Sequence, residues 1–100
     1  MKIRVIISDT AHIQLTTGQT DCVIRSVYQS FRDYLTWFDA HRNDKDVSPI
    51  IFHTEFKIVN ELYTTLHALS VPVELRDQVI FNSFVTFIKK LYRKGVLTYE

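Results

Sequence analysis

The residues best suited to chemistry stand near the end of the chain, in FIKKLYRKGVLTYE, residues 87–100. Lys89, Lys90, Arg93 and Lys94 form its densest run of charge. Clustered cations can neutralise phosphates and so hold nucleic acid. The same residue types also suit the last turn of a helix, whose dipole favours each cation by about 0.3–1 kcal/mol. The cluster therefore serves a solvated helix end as readily as a phosphate contact.

The surroundings of the cluster bear on that choice. A short helix, a break at SVPV, a long helix over 73–94 and a strand-like GVLTY resemble the order of a winged helix. In helix-turn-helix docking the N-terminal residues of the recognition helix meet base edges. Here that position carries Glu74 and Asp77 against Arg76, and the cations lie at the far end. Nucleic-acid binding through helix 73–94 is thus the alternative reading, as a phosphate clamp rather than a base reader.

Other groups offer weaker patterns. Glu55 and Asp77 fall towards otherwise apolar helix faces, and His41 lies on a core side, so a carboxylate–histidine acid–base pair is conceivable. Acids in first helical turns and a histidine in a last turn are also what the helix dipole favours, and fraying there keeps the acids wet. His12, His41, His53 and His67 lack metal-ligand spacing, and Cys22 is alone. Gly18 and Gly95 belong to no phosphate-cradling motif. The expectation is a protein that is not an enzyme, with no cofactor, no metal and no small-molecule substrate.

Among the aromatics, Trp37 stands apart. It lies at the edge of an apolar stripe, and Trp and Arg dominate interface hot spots. Trp37 with Arg32 and Arg42 is the expected protein-contact surface.

The elements that must position these residues follow from periodicity. KIRVIIS, residues 2–8, and HIQLTT, residues 12–17, alternate and predict a β-hairpin. Gly18 breaks that pattern, and Thr20 or Asp21 can cap a helix over 21–41, where Val23, Val27, Phe31, Tyr34, Leu35 and Phe38 share a face. A second helix starts between residues 49 and 55 and runs to 69. Residues 50–58 alternate like a strand as well, so strand and helix both stay open there. Gly95 stops the third helix, and VLTYE is β-prone. The predicted fold class is α+β: an N-terminal hairpin, three amphipathic helices and a short C-terminal strand that joins the small sheet.

Size and composition set the outer limits. One hundred residues, 46% hydrophobic and 13% aromatic, make a single domain with one core. A formal net charge of +1 makes no general claim on nucleic acid or membrane. The N-terminal apolar run is too short for a signal peptide or a membrane span, and one cysteine fits a reducing compartment, so a cytoplasmic location is expected. Taken together these features predict a small protein-binding module, an adaptor, regulator or inhibitor such as antitoxins and virus-encoded inhibitors are. Its partner is a second protein, a second copy of itself, or both.

Overall fold

The first helix begins where two side chains satisfy its free amides. The computed structural model describes the backbone of residues 3–6 and 12–97 and the side chains of residues 16–97. Thr16 is the N-cap of α1, Thr17–His41. Its Oγ1 accepts from the Gln19 amide at 3.2 Å, while Gln19 Oε1 accepts from the Thr16 amide at 3.0 Å. This capping box moves the helix start ahead of residue 21. Gly18 does not break the helix because first-turn amides have no intrahelical bond to lose.

The stretch read as either strand or helix is helical. Ser48 caps α2, Pro49–Ala68, and Pro49 fills its first position, where a missing N–H loses nothing. Glu74 is the N-cap of α3, Leu75–Arg93, which leaves Val73 in the connection rather than in the helix.

Helices α2 and α3 end in the same motif. In each, the amide of the second residue past the cap reaches back to the third-last helical carbonyl: Val71 to Leu66 at 2.9 Å, and Val96 to Leu91 at 3.0 Å. A left-handed residue makes each reversal, Ser70 at φ 57° and Gly95 at φ 72°. After α3 the reversal drives Leu97 into the helical core, where it is 8% exposed.

That turn corrects the fold class. The α+β expectation is replaced by an all-helical architecture, because Leu97, in the tail meant to close a sheet, packs on the helices instead. Ile3–Ile6 (β1) and His12–Leu15 (β2) pair antiparallel, Ile3 opposite Leu15, as a two-stranded ribbon that no third strand joins among the described residues. A ribbon that narrow is not a packing layer. The remainder of the expected hairpin, residue 2 and residues 7–11, and the last three residues of the expected strand lie outside the described residues.

The core is built from phenylalanine. Phe31, Leu35 and Phe38 of α1 meet Phe52, Val59 and Leu66 of α2 and Phe81, Phe84 and Ile88 of α3. Phe38 stacks on Phe84 with centroids 3.9 Å apart and planes 8° from parallel. Tyr63 stacks on Phe81 at 4.1 Å and 7°. Phe31 closes the latter layer at 5.9 Å from both rings. The molecule measures 46 × 30 × 19 Å, so its thinnest dimension is about two helix diameters. A body that thin offers grooves between neighbouring helices rather than a central cavity.

Two sets of substitutions test this account by urea unfolding. Phe84→Ala should lose about 3–5 kcal/mol, as expected when a buried ring leaves a cavity. Ser70→Gly and Gly95→Ala should move stability in opposite directions. The first gains a fraction of about 1 kcal/mol by relieving a left-handed serine, offset by a freer unfolded chain, and the second loses about 1 kcal/mol. Equal signs for the two would contradict the shared helix-end motif.

Candidate functional site

The polar centre of the molecule is Asp77, in the first turn of α3 and only 3% exposed. Fraying does not keep it wet, contrary to the expectation for its position, because α1 covers it. Tyr28 Oη donates to Asp77 Oδ2 at 2.8 Å and accepts from the Glu74 amide at 2.9 Å. Arg32 Nη2 lies 3.3 Å from Asp77 Oδ2 and 3.2 Å from Glu74 Oε2. Its guanidinium also sits 5.1 Å over the Tyr28 ring. The four residues tie the middle of α1 to the start of α3. Burial, then the neighbouring Asp77 carboxylate, raises the Tyr28 pKa above its ordinary value, against the Glu74 amide, which lowers it. Hydrogen bonding and charge from Asp77 raise that of Arg32.

This junction disperses the expected contact surface. Arg32 and Trp37 leave α1 on different flanks. Arg32 is engaged by α3, whereas Trp37 faces α2, stacked on His41 at 5.0 Å and tilted against Phe52 at 5.4 Å. Arg42 follows the helix end, 5.0 Å over the Phe38 ring and 3.7 Å from Asp39. Trp37 does line a small cleft of about 190 Å³ with Asp33, Tyr34 and Glu55. That cleft is acidic, and neither arginine lines it.

The conceivable pairing of Asp77 with His41 is not assembled. His41 Nδ1 donates to the Trp37 carbonyl at 2.8 Å, whereas the bonds of Asp77 go to Tyr28 and Arg32. His53 Nδ1 is 3.1 Å from Tyr92 Oη. Among the described residues no three His, Cys, Asp or Glu side chains gather as metal ligands, and His12 has no described side chain. Cys22 is exposed and forms no disulfide. No helix of the described residues is long and apolar enough to cross a membrane.

The basic cluster fans out because successive helical residues point 100° apart. Lys89 lines a groove between α2 and α3, and Lys90 lines another between α1 and α3, while Arg93 and Lys94 are exposed. The α2–α3 groove is the larger, at about 540 Å³. Phe56, Val85, Ile88 and Tyr92 give it an apolar lining, and Lys57, Lys89 and Glu61 are its charged residues. Residue types alone did not single it out. Phe56 and Val85 occupy stripe-edge positions on separate helices, and the 50–58 strand alternative blurred one of its two walls.

Compared with protein-family models, curated proteins and solved structures, the chain matches none.

Two readouts test the junction. Tyr28→Phe removes a bond to a buried carboxylate and one to the Glu74 amide and should cost about 1–3 kcal/mol. A folded-state pKa raised above the unfolded value of about 10 gives stability that is present below pH 10. It is lost as pH rises through the folded pKa. The wild type should therefore lose stability more steeply above pH 10 than Tyr28→Phe does in alkaline unfolding titrations.

Proposed function

We propose that the protein is a non-catalytic protein-binding module that takes an amphipathic helix of a partner into the groove between α2 and α3. The observation that carries this reading is the groove itself: about 540 Å³, with an apolar lining drawn from one face of α2 and one face of α3. Helix-in-groove recognition uses that shape, with apolar anchors at three- and four-residue spacing. Lys57 and Lys89 outnumber Glu61 among its charged residues, which favours a partner helix with acidic residues beside its anchors. Binding of this kind suits a role as adaptor, regulator or inhibitor. An unpaired exposed cysteine fits a reducing, cytoplasmic setting.

Self-association uses other surface. Ile51 and Ile58 are exposed on α2, 46% and 38% respectively, on the side that carries Glu55 of the Trp37 cleft. A second copy covering that side would leave the α2–α3 groove free. Light scattering across a concentration series separates a stable dimer from a monomer without touching the main proposal.

Helical peptides selected from a random display library provide the test. Selected sequences should be amphipathic and acid-rich. Val85→Glu, which places a charge on the groove wall, should weaken them at least tenfold while the circular dichroism spectrum stays helical. Lys89→Glu should weaken them less, by a few-fold, and Trp37→Ala should leave them unchanged. Peptides that bind Val85→Glu as tightly as the wild type, or that depend on Trp37 instead, would sink this reading.

A further inference from the structure

The groove between α1 and α3 differs from the other two in its charge. Arg42, from the cap of α1, and Lys90, from the last turns of α3, both line it, with Asn82, Ser83 and Thr86 of α3 as its other polar residues. Its volume is about 370 Å³, and no acid is among its lining residues. By contrast Glu61 is set beside the lysines of the α2–α3 groove, and Asp33 and Glu55 line the Trp37 cleft.

The hydrogen bonds inside α3 decide what each polar group can still offer. Ser83 Oγ donates to the Val79 carbonyl at 3.0 Å, and Thr86 Oγ1 donates to the Asn82 carbonyl at 3.1 Å. A hydroxyl has one proton and two lone pairs, so both oxygens are left as acceptors. Asn82 Oδ1 accepts from Gln78 Nε2 at 2.9 Å, which leaves the Asn82 amide nitrogen as a donor. Arg42 is held over Phe38 by a cation–π contact, and its ion pair with Asp39 is long and exposed, a kind worth little. An incoming anion of higher charge can displace it.

We infer that this cleft binds a small phosphomonoester. Its dianion sits between Arg42 and Lys90, and its alcohol runs back along α3, where its hydroxyl groups donate to Ser83 and Thr86 and one of its oxygens accepts from the Asn82 amide. Two cations from different elements suit a compact double negative charge, and the two acceptor oxygens, one helical turn apart, suit a polyol rather than a bare phosphate. Of the four cations in the C-terminal cluster only Lys90 takes part. The site is separate from the α2–α3 groove and stands whether or not that groove holds a helix.

Titrations of the isotope-labelled protein with inorganic phosphate, ribose 5-phosphate and ribose, followed by NMR at pH 7.5 and moderate salt, test this. Ribose 5-phosphate should give saturable shifts at the Asn82 side-chain amide, the Arg42 guanidinium and the backbone around Lys90, and should bind several-fold more tightly than phosphate. Ribose alone should give none. Arg42→Gln and Lys90→Gln should each weaken binding about tenfold, the loss of one charge-assisted hydrogen bond, while Lys94→Gln stays within about twofold. Binding should fade at pH 5, below the second phosphate pKa of about 6. Linear shifts spread over Lys89, Arg93 and Lys94, or equal losses for Lys90→Gln and Lys94→Gln, would overturn the site. Equal affinity for phosphate and ribose 5-phosphate would overturn the polyol assignment.

Discussion

Phe38 lies flat against Phe84 at 3.9 Å, and most of what the molecule presents follows from that contact. It joins α1 to α3, and Phe52 reaches Phe38 from α2 at 6.2 Å, so one aromatic layer belongs to all three helices. A second layer, Phe31 with Tyr63 and Phe81, repeats the arrangement towards the start of α3. Flat rings fill volume with few rotamers, which lets a short chain fill its centre closely. They also fix the rotation of each helix. With Phe84 turned inward, Val85 and Lys89 must face the α2 side, and Ser83, Thr86 and Lys90 the α1 side. The two grooves are thus consequences of the core rather than additions to it.

Asp77 sets the second constraint. A buried carboxylate is tolerated when its lone pairs are taken up, and Tyr28 and Arg32 do this from the adjacent helix. Leaving out Tyr28 or Arg32 costs Asp77 a bond in a poorly hydrated place. The network therefore pins the register of α1 against α3 at one end while the phenylalanine layers pin it along the length. It also engages Arg32, which on sequence alone stood beside Trp37 as a contact residue, and places Glu74 at the surface as its outer partner, 69% exposed at the side chain.

The surface that results is divided by charge. The α2–α3 groove is apolar with a mixed rim, the α1–α3 cleft is cationic and polar, and the Trp37 cleft is acidic. On a near-neutral chain, formally +1, these three clefts thus differ in the charge of their linings. On the readings proposed above, the two grooves lie on different flanks of α3 and would act independently.

Periodicity alone indicated the three helices and their inward faces, except over residues 50–58, where it fitted a strand as well. Phe31, Leu35, Phe38, Val59, Leu66, Phe81, Phe84 and Ile88 recur at helical spacing, and helical spacing has one geometric outcome. Gly95 likewise marked the end of α3. Three matters were decided only by tertiary structure. The tail VLTYE has β-prone composition, but the left-handed turn at Gly95 brings Leu97 within reach of the core, and burial outweighs a strand preference. Asp77 reads as a first-turn acid, and its burial depends on the crossing of a helix 45 residues earlier at Arg32. The basic run reads as a single patch because neighbours in sequence look like neighbours in space. On a helix they diverge by 100° each, and which of them meets Arg42 was set by the direction in which Phe84 points.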